Sequence, residues 1–416
     1  MTVRGYLFAA LVAVSNLFAQ TSVARGQPLA LDTGDASSDQ TGVVTRWNDG
    51  LTIESFDQDN VLQFGALVQA DGRFAPDDPL HEVADTFLMR RVRLIVQGRA
   101  GKFFEFRVMP DFAGGPLVLF DAYVDTRFSD TFRVRVGKDK TPIGLEQLYA
   151  DYSLLFPERT LATNLVPNRD LGVQAQGSVG RGALSYVGGV FNGVPDGANG
   201  DLDANSGKDL VGRVTLGLGR LGLAVAGSTG SQSGALPSFK TTAQQIFFAY
   251  ANGVAADGSR TRISPSAFVY RKWLGAFAEY VRTDQMVSRG AEATAVVNHA
   301  WEVTVSGVVT GEDATDRGVT PVQPFNPGQH HWGAFQLAAR VSSLTVDPRA
   351  FSAGVAAASA SQRADAVGVA AIWYANRHVK QVISYERTVF DRDPHGSRRP
   401  EHAIVFRVQM NLQPSL

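Results

Sequence analysis

Residues 132–176 read FRVRVGKDKTPIGLEQLYADYSLLFPERTLATNLVPNRDLGVQAQ. Apolar and charged side chains alternate over residues 132–136, and alternation returns over residues 171–176, which predicts a strand at each end. About 30 residues without a clean period lie between these strands, and loops of that length are usually functional or disordered. This loop is too rich in Leu, Phe and Tyr for a disordered linker. It therefore needs a place to bury those side chains, either the inside of a wide barrel or the surface of a soluble β-sandwich.

The composition limits the classes of protein to which this chain can belong. Only 44% of the 416 residues are hydrophobic, and after the N-terminus no uncharged apolar run reaches the ~20 residues that a membrane-spanning helix needs. Alternating strands of a transmembrane barrel escape this criterion, because their average hydropathy resembles that of a soluble protein. The formal net charge of −1 excludes a strongly basic nucleic-acid-binding protein. The absence of cysteine excludes disulfides, thiolate metal sites and cysteine nucleophiles.

Short alternating runs recur from residue 61 to residue 412. In the last run, residues 403–412, Phe406 and Met410 belong to the apolar face and Arg407 to the polar face; in residues 118–127, Phe120 is assigned to the apolar face and Asp121 to the charged face. The runs are about ten residues long, which is the length that a tilted strand needs to cross a bilayer. The pattern predicts an all-β fold, a transmembrane antiparallel β-barrel with sixteen strands, and eighteen strands are the alternative count.

The connections between these runs alternate between short and long as far as about residue 230. Outer-membrane barrels have short periplasmic turns and longer external loops in the same alternation. Beyond residue 230 the alternation becomes irregular. We interpret residues 243–250 as a hairpin within a loop, and we expect short additional strands in residues 283–299 and 345–363.

The face opposite the apolar one carries charge on the four strands before the long loop. Its charged residues are Arg91, Arg93, Arg107, Arg127, Arg133 and Arg135, with Glu105, Asp121 and Asp125. A charged side chain that met lipid near the midplane would cost several kcal/mol, about 2–4 for Arg, so this face must meet water inside the barrel. Excess arginine in a water-filled lumen attracts anions, and the planar guanidinium group matches phosphate. The alternative is that arginine and carboxylate on neighbouring strands simply pair and make the wall rigid.

The first 24 residues have the features of a secretory signal peptide. Arg4 supplies the positive charge, residues 6–14 are apolar, and residues 22–24 (SVA) fit a cleavage site; a buried core helix is the alternative. We therefore divide the chain into a signal peptide (1–24), a mobile periplasmic leader with the start of the barrel (25–60) and the transmembrane barrel (61–412). This division predicts export to the bacterial outer membrane.

Several motifs resemble the phosphate-selective porin O and P family. They include FLMRRVRLIVQGRA, LFDAYVDTRF, VGKDKTPIGLEQL, ERTLATNLVPNRDLGVQAQG and GVFNGVPDGANGDLDANSGKDL, and the likeness covers residues 60–412. The resemblance implies a sixteen-stranded outer-membrane barrel, a homotrimer, and a long third loop, here residues 138–170, that is folded into the pore.

The resemblance also implies a set of residues along the anion pathway. Arg90 and Arg91 match the paired arginines of the family, Lys138 and Lys140 stand where the third loop leaves its strand, and Asp111 and Asp121 are the matching acids. The region that resembles the arginine ladder, DLVGRVTLGLGR, contains only Arg213 and Arg220. Together with the charged face of the strands, the predicted pore-lining and anion-binding residues are Arg90, Arg91, Arg93, Arg107, Arg133, Arg135, Lys138, Lys140, Asp111, Asp121 and Arg213.

The sequence contains no motif that predicts catalysis or a cofactor. Residues 196–209 resemble a calcium loop but have no glutamate at the twelfth position of the EF-hand pattern, and the adjacent His330 and His331 lie in a Pro/Gly-rich loop. There is no G-x-S-x-G elbow and no P-loop.

We therefore predict an outer-membrane porin for the passive diffusion of small anions such as phosphate or polyphosphate, with no enzymatic activity and no cofactor. The expected partners are inorganic anions, outer-membrane lipid and other copies of the chain in a homotrimer, but no nucleic acid. The alternatives are a general or weakly selective small-solute porin, a barrel enzyme and a structural barrel.

Overall fold

The computed structural model describes residues 42–47, 49–76, 84–197, 205–393 and 396–413. The predicted signal peptide, residues 1–24, lies outside the described residues. The described part of the predicted leader contains two short strands, β1 (Val43–Trp47) and β2 (Leu51–Ser55). In the described ranges, no helix is long and apolar enough to cross a membrane.

The remaining strands follow in chain order. The first half contains β3 (Val61–Phe74), β4 (Thr86–Ala100), β5 (Phe104–Asp111), β6 (Val118–Ser129), β7 (Phe132–Asp139), β8 (Asp170–Val179), β9 (Leu184–Phe191), β10 (Asp209–Leu218) and β11 (Leu221–Gly234). The second half contains β12 (Phe239–Lys240), β13 (Ile246–Phe248), β14 (Val254–Arg271), β15 (Leu274–Arg289), β16 (Glu292–Val308), β17 (Ala334–Thr345), β18 (Arg363–Tyr374), β19 (Val379–Phe390), β20 (Arg392–Asp393), β21 (Gly396–Ser397) and β22 (Glu401–Leu412).

Within the described residues, sixteen of these strands form a closed antiparallel barrel: β3 to β11, β14 to β19, and β22. The barrel closes where the first strand pairs with the last, with Ile404 opposite Phe74 and Leu412 opposite Ala66. Closure satisfies the backbone hydrogen bonds of every strand, which an open sheet in lipid could not do. The prediction of a sixteen-stranded all-β barrel is confirmed. Strand β2 pairs with residues 61–64 at the start of β3, and β22 pairs with β3 from residue 66 onward. The other edge of β2 pairs with β1.

Burial alternates along the strands in the sense that the sequence predicts. In β22, Arg407 and Gln409 are buried, while Phe406, Val408 and Met410 are exposed large hydrophobic residues. The polar side chains therefore face the interior of the barrel and the apolar side chains face outward. This arrangement is the reverse of that in a soluble sandwich and is typical of transmembrane barrels.

The irregular connections beyond residue 230 have a specific structural origin. Strands β15 and β16 contain 16 and 17 residues and meet at a tight turn around Gly290, whose φ is 63°. Residues 283–299 are therefore the ends of these two long strands, and the expectation of separate short strands there is wrong. Residues 345–363 contain a short helix, Pro348–Ser352, in place of the expected strand. The predicted hairpin in residues 243–250 is represented by β12 paired with β13.

The longest connection at the short-turn end of the barrel is residues 309–333, between β16 and β17. It contains the 3-10 turn Pro327–Gln329. Its Ala314 and Val319 are buried in an apolar cluster with Phe156 of the loop between β7 and β8 and with Tyr374 at the end of β18. The connection therefore folds back against the barrel, although the alternation of loop lengths predicts a short turn at this end.

The loop between β7 and β8 contains a one-turn helix, Leu145–Leu148, and a 3-10 helix, Leu161–Leu165. Its apolar residues pack against inward-facing residues of distant strands, because Leu161 and Leu165 share a buried cluster with Val281, Val296 and Leu344. Polar contacts follow the same route: Lys380 Nζ lies 2.7 Å from the carbonyl oxygen of Tyr152 and 2.9 Å from that of Leu154. These contacts explain how an apolar loop of this length stays ordered.

The closing seam provides a test of the fold. Arg407 of β22 donates two hydrogen bonds of 2.6 and 2.7 Å to Asp71 of β3, and both side chains are nearly inaccessible, 2% and 0% exposed. Removing one member of such a buried pair leaves an uncompensated charge. We therefore expect Arg407→Ala to lower the free energy of unfolding by about 3–5 kcal/mol, measured by urea unfolding with tryptophan fluorescence.

The matched control is Arg282→Ala, which removes an arginine from the exposed Arg282–Asp284 pair. Exposed ion pairs contribute little to stability, so the unfolding midpoint of this variant should stay close to that of the parent. If both variants unfolded at the same urea concentration, the seam pair would not have the role assigned to it.

Candidate functional site

Two consecutive arginines of β4 both face the interior, which a regular strand would not allow. Gln69 pairs with Arg91 and Ala70 pairs with Met89, so Arg90 is an extra residue at a β-bulge. A bulge re-aims the side chain of the extra residue. As a result, Arg90 donates to Glu158 at 2.5 and 3.0 Å, while Arg91 donates to Gln69 at 2.6 Å.

A second bulge changes the face of the sheet to which Phe120 of β6 belongs. Met109 pairs with Asp121 and Pro110 pairs with Leu119, so Phe120 is the extra residue. Its ring lies under two guanidinium groups, with the Arg93 carbon 4.0 Å and the Arg169 carbon 4.5 Å from the ring centroid. The assignment of Phe120 to the lipid-facing apolar side is therefore wrong, because alternation fails at a bulge. The ring supports two arginines through cation–π contacts.

Two carboxylates of the loop between β7 and β8 hold the arginines of the wall in place. Asp151 forms ion pairs with Arg93, with Arg159 at 2.7 Å and with Arg91 at 3.4 Å. Glu158 accepts hydrogen bonds from Arg90, as described above, and from Arg73 at 2.7 Å. Each carboxylate therefore connects several basic residues, and the loop and the wall form one charged network.

The charge state of this network follows from its geometry. Burial raises the pKa of Asp151, but the nearby Arg91 and Arg93 lower it by more, so the pKa lies well below its usual value. The pKa of Glu158 is lowered for the same reason, with Arg90 as the main cationic neighbour. Burial lowers the pKa of Lys140 well below its usual value, and the Arg159 charge adds to this effect. Because their pKa values are lowered, Asp151 and Glu158 are both ionised at neutral pH.

Arg90, Arg91 and Arg93 open onto a cavity of about 520 Å³ between β4 and the loop. The charged groups that line it are Arg90, Arg91, Arg93, Arg159, Arg169, Lys240, Asp151, Glu158 and Asp196. Six of these are basic and three are acidic, which leaves an excess of three positive charges. Basic residues therefore outnumber acidic residues in the lining of this cavity.

Other predicted site residues pair within the wall and do not line this cavity. Arg107 donates to Asp121 at 3.1 Å, Asp121 also accepts from Arg169, and Asp111 accepts from Arg93 at 2.7 Å. These pairs correspond to the alternative interpretation of the sequence, in which arginine and carboxylate on adjacent strands make the wall rigid. Asp111 and Asp121 thus orient the arginines of the cavity from behind.

The remaining predicted residues lie further from the cavity. Arg135 donates to both oxygens of Asp125 at 2.9 and 2.6 Å, and Arg133 lies 3.8 Å from the same carboxylate. Lys140 donates to the carbonyl oxygens of Leu148 and Tyr149, at 3.3 and 2.7 Å.

Lys138 is a buried residue of β7. Its backbone lies opposite Ala122 of β6 on one side and opposite Leu171 of β8 on the other. Arg213 on β10 donates weakly to Ser266 at 3.4 Å. Of the predicted residues, only Arg90, Arg91 and Arg93 are brought together at one cavity.

A group of carboxylates lies on β15 to β19, on another side of the loop. Glu279 and Glu302 face each other directly across two strands, and Glu279 accepts a hydrogen bond from the Leu145 N–H at the start of the loop helix. Arg340 binds Glu386 at 2.6 Å and lies 3.6 Å from Glu146. The interior is therefore polarised, because the β4 side of the loop is basic and the β15 side is acidic.

Reasoning from alternation missed the functional residues that lie in loops. Arg159, Arg169, Asp151 and Glu158 belong to the predicted third loop, and Lys240 belongs to the hairpin formed by β12 and β13. The available signal was the presence of charged residues in an otherwise apolar loop, since buried charges need partners. Within the described ranges, no group of His, Cys, Asp and Glu residues could hold a metal ion.

Comparison with known proteins places this geometry in a family. A family model described as phosphate-selective porin O and P matches residues 63–412. A search of curated proteins finds no match. Among solved structures, the chain is similar to the outer membrane channel DcaP of Acinetobacter baumannii, with 11% identity over 86% of this chain and 99% of that chain and a TM-score of 0.56.

Two further solved structures have the same fold. The anion-selective porin from Comamonas acidovorans is 11% identical over 85% of this chain and 99% of its own, with a TM-score of 0.55. The trimer form of OmpT from Vibrio cholerae is 10% identical over 85% and 99%, with a TM-score of 0.54. These structural likenesses establish the fold, and the family model covers nearly the whole described barrel. The chain is therefore an outer-membrane β-barrel porin and belongs to the phosphate-selective porin O and P family.

Proposed function

We propose that this porin is a channel for the passive diffusion of small anions, and that phosphate is the solute it favours. The observation that carries the proposal is the excess of three positive charges around the cavity between β4 and the third loop. Fixed positive charge with low-dielectric walls attracts anions and repels cations. Five of the six basic groups belong to β4 or to the third loop, so anions would be attracted where the loop approaches the wall.

The third loop, residues 138–170, is proposed as the element that narrows the channel. In support, its side chains and carbonyl groups contact inward-facing residues on both sides of the barrel, including Arg91 on β4, Arg340 on β17 and Arg407 on β22. A segment held at so many points cannot swing freely. Solutes would therefore pass beside the loop and along the cavity.

The arginines of the cavity also suit a tetrahedral oxyanion. Guanidinium groups present several donors in a fixed plane and bind phosphate through paired hydrogen bonds. Not all their donors are used: in the described part of the chain, the Nε atom of Arg91 is buried without a hydrogen-bond partner. A phosphate ion beside Arg91 could accept this hydrogen bond.

A weakly selective small-solute porin is the second candidate. It is favoured by the pairing of most inward-facing arginines with carboxylates, such as Arg93 with Asp111 and Arg135 with Asp125. Paired charges contribute less to the field in the lumen than free charges do. The family and the fold point to a channel and not to an enzyme, and the homotrimer remains a proposal, supported by the trimer form of the OmpT structure.

Replacing Arg90 and Arg159 with glutamine would reduce the excess positive charge at the cavity from three to one. We expect the ratio of anion to cation permeability to fall, because fixed charge sets this ratio. The measurement is the reversal potential of purified protein in a planar bilayer under a KCl gradient. The control carries Arg282→Gln and Arg363→Gln, two exposed arginines outside the cavity, and should keep the parent's value. If the reversal potential of the Arg90/Arg159 variant stayed at the parent's value, these two arginines would not set the anion preference of the channel.

Phosphate should compete with chloride for the cavity. At constant ionic strength, added phosphate should reduce the chloride current of the parent protein, and the Arg90/Arg159 variant should need about tenfold more phosphate, since a hydrogen bond to a charged group is worth about 1.5–3 kcal/mol. The measurement is the macroscopic current through many channels at increasing phosphate concentration. If phosphate had no effect on the parent, the weakly selective porin would be the correct function.

Shortening the third loop tests its role as the constriction. Replacing residues 145–165 by a short Gly/Ser linker should raise the single-channel conductance, because the loop would no longer occupy the lumen. Heat-modifiable mobility on gels would establish that the variant still forms a barrel. A folded variant with the parent's conductance would place the loop outside the solute pathway.

A further inference from the structure

Six short turns at one end of the barrel differ in charge from the rest of the chain. They join β4 to β5, β6 to β7, β8 to β9, β10 to β11, β14 to β15, and β18 to β19. Their charged residues, histidine aside, are Lys102, Arg181, Arg220, Lys272, Arg377 and Asp130. Five are basic and one is acidic, whereas the whole chain has 39 basic and 40 acidic residues. Basic residues are therefore concentrated in these six turns.

The five basic side chains of these turns are all exposed. In the described part of the chain, Arg181, Arg220 and Lys272 form no ion pair with a carboxylate, and Lys102 reaches Asp59 only at 3.7 Å. Arg377 is the exception, with Asp49 at 2.8 Å. Most of this positive charge is therefore available to a partner outside the barrel.

Exposed apolar residues lie next to these charges. Phe103 follows Lys102 and is 57% exposed, and Trp273 follows Lys272 and is 49% exposed. Leu218 and Leu221, both exposed large hydrophobic residues, flank the turn that contains Arg220. Because exposed apolar residues of the strands face lipid, Lys102, Arg220 and Lys272 lie at the height where the apolar band ends. Aromatic residues at this level are typical of the membrane interface.

We propose that these five turns form a ring that binds the headgroups of anionic phospholipids in the periplasmic leaflet. Short turns of outer-membrane barrels face the periplasm, and a basic residue near an anionic lipid surface adds favourable binding energy. The phosphate of a lipid whose chains pack against Trp273 or Phe103 would lie within reach of Lys272 or Lys102. This partner is distinct from the solutes of the channel.

The long connection at the same end, residues 309–333, does not cancel the ring. It carries Glu312, Asp313, Asp316 and Arg317, but it folds towards the interior, because its Ala314 and Val319 are buried against Phe156. Asp316 also borders a small cavity with the inward-facing Thr304 and Ser306. Asp316 therefore lies at the mouth of the barrel, whereas the Ala314 N–H donates to the carbonyl oxygen of Lys272 at 2.7 Å, so the segment also touches one turn of the ring.

Trp273 allows a local measurement, because it adjoins Lys272 and lies near Arg220, whose carbonyl oxygen accepts a hydrogen bond from Tyr270. The other four tryptophans, Trp47, Trp301, Trp332 and Trp373, are replaced by phenylalanine. The protein is reconstituted in phosphatidylcholine vesicles that contain a minor fraction of either brominated phosphatidylglycerol or brominated phosphatidylcholine. We expect the anionic lipid to quench Trp273 more effectively, with an apparent affinity about fivefold higher.

The test variant carries Lys102→Gln, Arg181→Gln, Arg220→Gln and Lys272→Gln. Its affinity ratio for the two lipids should fall to about one, while its reversal potential in the planar bilayer stays at the parent's value. A charge-matched control carries Arg282→Gln, Arg349→Gln, Arg363→Gln and Arg399→Gln, all exposed residues near the long-loop end, and should keep the parent's ratio. Heat-modifiable mobility verifies the barrel in each variant.

Four results would overturn the proposal. Equal quenching of the parent by both lipids would mean that no anionic headgroup is preferred at Trp273. A preference for phosphatidylglycerol that survives in the test variant would exclude the turn residues as its cause, and a shifted reversal potential in that same variant would assign them to free anions in the pore. Loss of the preference in the control variant would attribute it to total charge.

Discussion

The boundary between water and hydrocarbon is the constraint on which the rest of this structure depends. A single layer of sheet separates the two media, so every strand must present apolar side chains outward and polar side chains inward. Closure between β3 and β22 removes the free edges of the sheet. The inward charges then need either water or a partner, because an unpaired buried charge is costly. The third loop supplies many of these partners.

Pairing of charges sets both the rigidity and the electrostatics of the interior. Asp151 and Glu158 each bind more than one arginine, which fixes the loop against the wall but also neutralises part of the positive charge. Where a basic group is left over, as among the residues that line the cavity near Arg91, an anion can complete the network. The same pairing therefore both holds the third loop against the wall and limits the positive charge that is left over around the cavity.

The connections at the short-turn end of the barrel are of two kinds. At the short-turn end, residues 309–333 fold back and meet the third loop around Phe156, so the interior contains chain segments from both ends. Five of the six short turns at this end carry a basic residue, and two of them contain the exposed Phe103 and Trp273. The two proposals therefore concern different groups: the solute is proposed to meet residues of the third loop, and the lipid is proposed to meet residues of the turns.

The alternation in the sequence was enough to predict a barrel and the face to which most residues belong, because the two-residue period of a strand is a local property. It left the strand count open between sixteen and eighteen, and the strand pairing gives sixteen. The sequence also predicted Arg90 and Arg91 from a family motif and Arg93 from the charged face of the strand, but not how two adjacent arginines reach the same interior. The bulge at Arg90 turns both of these arginines inward, and only the tertiary structure shows it. The bulge at Phe120 brings that ring to the interior in the same way. The partners of Asp151 and Glu158 depend on contacts between residues far apart in the chain, and no period in a single sequence records such contacts.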